Sequence, residues 1–159
     1  MFLDENTFKT VIASTPLISI DLLVKNSQGQ YLLGYRTNCP AQGFWFVPGG
    51  RIHKDESMDA AFVRLTKAEL GVKIERQSAR FIGPFEHFYD DFVFGPGVST
   101  HYVVLGYEII LNIDINELPV EQHSHYKWFE QSEIIESEDV HQHSKWYLET
   151  QKNGFMMSV

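Results

Sequence analysis

The sequence predicts a fold of the α+β class. Short segments rich in β-branched and aromatic residues are interspersed with helix-forming segments, without the regular strand–helix–strand order of a doubly wound sheet. Residues 57–70 have the apolar spacing of an amphipathic helix. The chain has 159 residues, which suits one hydrophobic core, so we expect a single domain over 1–159.

The first third of the chain predicts a helix followed by three strands. Residues 4–13 place apolar side chains on one helical face. The segments 17–24 and 31–35 are rich in strand-forming residues, and the turn signal at 26–29 predicts that they form a hairpin. A third strand is predicted at 44–47, where Pro-Gly-Gly follows and breaks the chain.

The helix predicted at 57–70 carries one acidic residue on its apolar side. Phe62 and Leu65 belong to the apolar stripe, and Gly71 is typical of a left-handed helix end. Four residues after Leu65 the stripe reaches Glu69. A carboxylate facing a core requires a charged or hydrogen-bonding partner, and a divalent cation is one such partner. The alternative is that Glu69 bends into solvent in the last turn.

The rest of the chain predicts a second hairpin, a polar loop and a closing helix. These segments are strands at 81–88 and 100–110, a glycine-rich loop at 90–99, a loop at 118–125, a strand at 126–129 and a helix at 144–151.

The composition excludes several classes of protein. A formal net charge of -8 argues against nucleic acid as a partner. The single cysteine, Cys39, cannot form an internal disulfide and fits a reducing compartment. The sequence has no apolar run of about 18 residues, so no membrane span is expected. Residues 1–5 are acidic where a signal peptide would be basic, and we therefore expect a cytoplasmic protein.

One motif dominates the sequence. It reads Gly50, five residues, Glu56, seven residues, Arg64, and then Glu69 before Leu70-Gly71-Val72. This spacing resembles the Nudix box, the signature of a hydrolase family. The resemblance covers nearly the whole chain and implies an α/β/α sandwich with a mixed sheet and helices on both faces. It also implies that Glu56 pairs with Arg64.

Two acidic positions of the box are lost. Leu65 and Ala68 stand where the family usually has glutamates that hold several divalent ions around a diphosphate. Fewer carboxylates should bind fewer ions, and this change allows a different bond of the substrate to be cut. Outside the box the chain is similar to the GDP-mannose mannosyl hydrolases, an atypical Nudix branch. The segments that carry this similarity are 14–17, 36–38, 40–43, 45–51, 87–91, 100–106 and 121–123.

That branch implies hydrolysis of a GDP-hexose at the sugar C1–O bond, with inversion at C1 and one Mg²⁺ per subunit, or Mn²⁺ in its place. It also implies a homodimer. The ion would be held by the backbone carbonyl of Gly49 together with Glu69 and Gln122. His123 would act as the general base, since histidine titrates near neutral pH. The alternative for His123 is a loop residue with no catalytic role.

Two arginines are predicted to bind the diphosphate and to assist its departure. Arg36 ends the second strand and Arg51 follows the glycine turn, so both should lie at one edge of the sheet. Guanidinium groups form paired, charge-assisted hydrogen bonds to phosphate oxygens. Arg64 is a further candidate, either for a phosphate or for Glu69. The alternative is that Arg36 and Arg51 are ordinary surface residues.

Three more residues are assigned to the substrate by the resemblance. Asp21 and His87 would contact the sugar, and Tyr102 would contact the GDP portion. Each could instead be a polar group of the core. Two other functions stay open: a pyrophosphohydrolase that cuts a P–O bond, and a non-catalytic Nudix module that binds nucleotides. Mannose, glucose and fucose stay open as the hexose.

Overall fold

The computed structural model of the chain describes residues 2–119 and 123–152, without the side chains at 123, 124 and 150–152. The helices in this part are α1 (Glu5–Ser14), α2 (Met58–Leu70), α3 (Gln131–Glu136) and α4 (Gln142–Lys152). The strands are β1 (Leu17–Lys25), β2 (Tyr31–Arg36), β3 (Trp45–Phe46), β4 (Gly49–Arg51), β5 (Arg80–Phe92), β6 (Gly95–Ile110) and β7 (His123–Phe129). Short 3₁₀ turns lie at Arg76–Ser78 and Ile115–Glu117.

The strands form one mixed sheet with β1 near its centre. Strand β1 runs parallel to β6 and antiparallel to β4 and β2. The path through the sheet is β3-β2-β1-β6-β5, with β7 beside β2 and β4 beside β1. The predicted α+β class and mixed sheet are confirmed.

Helices cover both faces of the sheet. On one face, Phe62 and Leu65 of α2 pack against Ile20 and Leu22 of β1 in a buried cluster. On the other face, α3 and α4 contribute to a second cluster that includes Leu23. Successive side chains of a strand point to opposite faces, which is why neighbouring residues of β1 enter different clusters. The predicted α/β/α sandwich is therefore confirmed.

The predicted central helix forms with its expected ends. The hydroxyl of Ser57 accepts a hydrogen bond from the backbone N–H of Ala60 at 3.1 Å, which caps the start of α2. Gly71 adopts the left-handed conformation, with φ of 76°, and ends the helix. Both signals are local in sequence, and this explains why the helix could be predicted without tertiary information.

Several predicted boundaries were wrong. Residues 90–99 do not form a loop: β5 and β6 continue as a hairpin and leave only residues 93 and 94 as the turn. Gly95 pairs with Phe92 at the turn, with a φ of 116° that glycine adopts readily. The predicted loop at 118–125 ends early, because β7 already begins at His123 opposite Arg36. Strand β4 and helix α3 were missed.

Within the described residues no helix is long and apolar enough to span a bilayer.

Candidate active site

A cavity of about 210 Å³ opens where β1, β4 and the β5–β6 hairpin meet. Its lining is mostly polar and aromatic. The lining residues are Ser19, Asp21, Arg36, Pro40, Phe46, Val47, Gly49, Gly50, Arg51, His87, Tyr89 and Tyr102.

Strand pairing explains why residues far apart in the chain meet here. In the β1–β4 ladder, Asp21 lies opposite Gly49 and Ser19 lies opposite Arg51. The β5–β6 hairpin continues the sheet on the other side of β1 and carries His87, Tyr89 and Tyr102 of the cavity lining. An irregularity of the β2–β7 ladder directly precedes Arg36 at the end of β2. Such irregularities bend a strand and redirect its side chains.

Gly49 makes the closest backbone approach in the cavity. A Cβ atom on Gly49 would lie 2.3 Å from the carbonyl oxygen of Ile20 and 2.6 Å from Oδ1 of Asp21. Both distances are too short for any side chain, so β4 can lie this close to β1 only with glycine at this position. The neighbouring Gly50 is crowded by a side chain instead, since its Cβ would lie 2.5 Å from Cδ2 of Leu65.

Two guanidinium groups face the cavity. The Arg36 guanidinium lies over the ring of Phe46, with 6.0 Å from its carbon to the ring centroid. The Arg51 guanidinium lies over the ring of Phe8 in α1, at 4.9 Å. The Nε atom of Arg36 is buried and has no hydrogen-bond partner among the described residues. A buried donor of this kind fits an anionic ligand such as a phosphate group.

A buried carboxylate forms the floor of the cavity. Asp21 is 6% exposed, and its Oδ2 accepts a hydrogen bond of 2.5 Å from the hydroxyl of Tyr147. That hydroxyl is also 3.4 Å from Nε2 of His87. Burial raises the pKa of Asp21 to about 7, although the Tyr147 hydrogen bond and the positive charge of Arg36 act in the opposite direction.

Three histidines lie beside this floor. The ring of His87 stacks on His143 with centroids 4.2 Å apart, and His141 lies 4.5 Å from His143. Burial lowers the pKa of His87 to about 3 and the pKa values of His141 and His143 to about 4. In the described part of the chain, no group of three or more His, Cys, Asp or Glu side chains is arranged to hold a metal ion.

The loop of the box is tied to its helix by an ion pair. Arg64 donates from Nε to Oε1 of Glu56 at 2.6 Å and from Nη2 to Oε2 at 2.8 Å. It also donates to the backbone carbonyl of Arg51 at 2.8 Å. The backbone N–H of His53 donates to Glu56 as well, and these contacts lower the pKa of Glu56 to about 2. Glu56 therefore pairs with Arg64, as the resemblance implied.

Glu69 is the acidic position of the box that remains inside the protein. It is 2% exposed, and its charge contributes to the raised pKa values of Asp21 and Tyr126. Leu65 is buried in the core and Ala68 faces solvent. Magnesium prefers oxygen ligands, so the carboxylate of Glu69 and the close-packed backbone of Gly49 suit such an ion chemically.

The structure brings six of the predicted site residues together around the cavity. They are Asp21, Arg36, Gly49, Arg51, His87 and Tyr102. Arg64 and Glu69 do not line it. The backbone of His123 pairs with Arg36 at the start of β7, although a loop was predicted there, and its side chain is not described. Gln122 lies outside the described residues.

Sequence reasoning missed two aromatic residues that support the site. Tyr147 reaches Asp21 from α4, and Phe8 of α1 supports Arg51. Tyr147 shares a helical face with Ser144 and Leu148, and all three are buried. That spacing indicated a buried face of the closing helix. It contained no information about which strand this face would meet.

Comparison with known proteins agrees with the fold and the box. Residues 15–150 match the family model described as NUDIX domain. The chain is 40% identical over 126 residues to the "Low-salt glycan biosynthesis protein Agl8" of Haloferax volcanii, covering 79% of this chain and 78% of that protein.

Solved structures share the fold at low sequence identity. A MutT protein from Methanosarcina mazei Go1 has a TM-score of 0.70 at 20% identity, covering 89% of this chain and 96% of that one. The NUDIX domain of NrtR from Shewanella oneidensis, in complex with ADP ribose, has a TM-score of 0.65 at 17% identity, covering 96% and 94%. The family model spans most of the chain, and the chain therefore belongs to the Nudix hydrolase family.

Proposed function

We propose that this protein hydrolyses a GDP-hexose at the bond between the sugar C1 and the diphosphate oxygen, with inversion at C1. The observation that carries the proposal is the altered box helix. Of its three usual carboxylate positions, only Glu69 is acidic and buried, while Leu65 belongs to the core and Ala68 faces solvent. Attack of water on phosphorus relies on several ions held by those carboxylates. A single remaining ion is better suited to neutralising charge on a leaving group than to activating a water molecule as the nucleophile.

The two arginines of the cavity supply the charge that the departing GDP requires. Arg36 and Arg51 face the cavity from different strands, and the buried Nε of Arg36 offers a donor to a phosphate oxygen. Preorganised donors lower the barrier when charge develops on the leaving group. We assign the cation to the carbonyl of Gly49, Glu69 and Gln122. A bound Mg²⁺ or Mn²⁺ would add Lewis-acid neutralisation of the diphosphate.

The sugar end of the substrate is assigned to the floor of the cavity. Asp21 and His87 would bind hexose hydroxyl groups, and Tyr102 would contact the GDP portion. A role in sugar-nucleotide chemistry is supported by the Haloferax relative, which is named as a glycan biosynthesis protein. The NrtR complex with ADP ribose supports a nucleotide as the other half of the substrate.

The bond that breaks is tested by hydrolysis in ¹⁸O-labelled water. GDP-mannose and Mg²⁺ are incubated with the enzyme, and the products are analysed by mass spectrometry. We expect the label on the C1 oxygen of free mannose, because water attacks the sugar carbon. Label on phosphate, or the products GMP and mannose 1-phosphate, would refute the proposal and favour the pyrophosphohydrolase. The absence of any turnover of GDP-sugars, with GDP still bound, would favour a non-catalytic module.

Anomeric NMR of the same reaction tests the stereochemistry. Because GDP-mannose carries an α-linked sugar, attack of water from the opposite face yields β-mannose first. Accumulation of α-mannose before mutarotation would contradict inversion.

His123 is the proposed general base. General-base catalysis contributes about 10²–10⁴-fold to a rate, so we expect His123→Gln to lower kcat by about 10³-fold. The affinity for GDP should stay unchanged, since the base acts on water at the sugar. A matched control is His125→Gln, two residues further along β7. Undiminished turnover in His123→Gln would remove the assigned base.

A homodimer and a cytoplasmic location remain predictions from the resemblance and the composition.

A further inference from the structure

Three polar side chains form a hydrogen-bonded row beneath the cavity. The hydroxyl of Tyr147 lies between Asp21 and His87, 2.5 Å from Oδ2 of the carboxylate and 3.4 Å from Nε2 of the imidazole. Asp21 and His87 line the cavity, whereas Tyr147 is fully buried behind them. Tyr147 therefore contacts two cavity residues without itself reaching the cavity.

The row divides the two oxygens of Asp21 between different tasks. Oδ2 is occupied by the hydroxyl of Tyr147. Oδ1 lies on the side of Gly49, where an added Cβ would be 2.6 Å away. Gly49 lines the cavity, so Oδ1 is the oxygen placed to accept a hydrogen bond from a ligand hydroxyl.

With ionised Asp21, the row favours one tautomer of His87. A tyrosine hydroxyl has a single proton, and the short contact assigns it to Asp21. The oxygen of Tyr147 can then only accept from His87, which requires the proton on Nε2. Nδ1 is left as a hydrogen-bond acceptor. The lowered pKa of His87 is consistent with this neutral form.

Tyr147 is held rigidly by the core. Its ring packs edge-on against Phe85 with centroids 4.6 Å apart. The ring also lies close to the backbone of β6, because a Cβ at Gly106 would be only 3.0 Å from Cε1 of Tyr147. One turn earlier in α4, the hydroxyl of Ser144 accepts a hydrogen bond from the backbone N–H of Val47, a lining residue, at 3.1 Å. Helix α4 is therefore fastened to the cavity wall at two points.

The structure assigns Tyr147 as a positioning residue that holds Asp21 and His87 as a preset hydrogen-bonding pair for the hexose hydroxyl groups. This inference rests on the proposed function for the identity of the ligand. A neutral hydroxyl suits this role, because it satisfies one carboxylate oxygen and leaves the other with its full capacity to accept. Orientation fixed before binding reduces the entropy lost when the sugar binds.

The test compares two tyrosine variants that lose only a hydroxyl group. Tyr147→Phe removes the central member of the row and keeps the ring in its packed site. Tyr31→Phe is the matched control, since Tyr31 is buried in the same cluster and its hydroxyl lies 3.5 Å from Glu108, away from the cavity. For each variant, kcat/KM is measured with GDP-mannose and the inhibition constant with GDP, which lacks the sugar.

We expect Tyr147→Phe to lower kcat/KM for GDP-mannose by about tenfold and to leave inhibition by GDP within about twofold of the wild type. Tyr31→Phe should leave both values within about twofold. A purely structural role would weaken substrate and GDP together, and that result would overturn the inference. An unchanged kcat/KM in Tyr147→Phe would overturn it as well.

A double-mutant cycle confirms the route of the effect. In an Asp21→Ala background, Tyr147→Phe should lower kcat/KM by clearly less than tenfold, because one of the two groups that it positions is gone and only His87 remains. A tenfold loss that persists in this background would contradict action through Asp21. The comparison of kcat/KM for GDP-mannose with the inhibition constant of GDP can be made whichever bond is cut. If the ¹⁸O label appears on phosphate, the proposed reaction fails while this comparison still decides the role of Tyr147.

Discussion

Glu56 and Asp21 are both carboxylates close to strand β4, but the fold gives them different hydrogen-bonding partners. Glu56 is bound by the guanidinium of Arg64 through two short hydrogen bonds, and its pKa is lowered to about 2. Asp21 is buried and is bound by the neutral hydroxyl of Tyr147, and its pKa is raised to about 7. The first carboxylate is charged near neutral pH, and both of its oxygens accept hydrogen bonds. The second keeps one oxygen at the cavity.

The difference separates a structural carboxylate from one that can serve a ligand. A charged partner with two donors satisfies both oxygens of Glu56 and fixes the box loop on α2. A neutral partner with one donor satisfies only Oδ2 of Asp21 and leaves a buried acceptor beside the cavity. Burial of a carboxylate without an ion pair costs stability. Such an arrangement is typical of functional sites.

Strand β4 connects these two regions, and the largest effect is expected from disturbing it. Gly49 lies against Asp21, and the carbonyl of Arg51, two residues later, accepts from Arg64. A Cβ at position 49 would collide with the Ile20 backbone at 2.3 Å, so Gly49→Ala must push β4 away from β1. We expect a loss of about 3 kcal/mol in the free energy of unfolding, measured by denaturant titration, together with loss of activity.

Gly50→Ala is the matched control for this prediction. Its Cβ would meet only Cδ2 of Leu65, the flexible end of a side chain, at 2.5 Å. The expected loss is therefore smaller, about 1 kcal/mol. Equal losses in the two variants would show that β4 is not held against β1 as tightly as the structure indicates.

Asp21→Asn tests the cavity carboxylate with little change of shape. Replacement of a charged acceptor by a neutral one should lower kcat/KM for the sugar nucleotide by about thirtyfold, or about 2 kcal/mol.

The Asp21→Asn variant should also gain stability relative to the wild type as pH rises. The raised pKa means that the contribution of Asp21 to stability is complete below 3.8 and is lost as pH rises through about 7.

Thermal unfolding of Asp21→Asn and wild type between pH 4 and pH 8, without divalent ions, measures that gain. A difference that shrinks with rising pH would contradict a raised pKa in the folded protein.

Glu56→Gln is among the smallest of the expected effects. Its dependence on pH is opposite in direction to that of Asp21→Asn. Arg64 is 35% exposed, so solvent screening limits the loss in the free energy of unfolding to about 1 kcal/mol near neutral pH. The pKa of Glu56 is lowered from 4.5 to about 2, so its contribution is present above 4.5 and is lost as pH falls towards 2. Denaturant titrations of both proteins should therefore converge in acid, and a constant difference would exclude the ion pair as the cause.

The box around Glu56 and the cavity around Asp21 also differ in how much of each could be predicted from the sequence. Within the box, Glu56 and Arg64 are eight residues apart, the cap at Ser57 and the end at Gly71 are local, and the helix carries its own apolar stripe. The helix and its ends follow from these local signals. The pairing of Glu56 with Arg64 was implied by the resemblance to the Nudix box, and the structure confirms it.

The prediction failed where backbone pairing between strands overrode the local signal of glycine residues. The glycines at 95 and 97 indicated a loop, but β5 and β6 continue through them because each strand supplies hydrogen-bonding partners for the other. Strand β4 was missed because three residues with two glycines have no strand propensity of their own. They become a strand only by lying beside β1.

The sequence by itself determined the Nudix box, the class of the fold, the loss of two acidic positions and the residue types that suit a diphosphate. These depend on composition, periodicity and spacing within a few turns of chain. Only the tertiary structure decided that Tyr147 meets Asp21, since the two are 126 positions apart, and that Phe8 lies under Arg51. Such contacts depend on strand register and helix docking, which are set by the packing of the whole core and leave no local pattern in the chain.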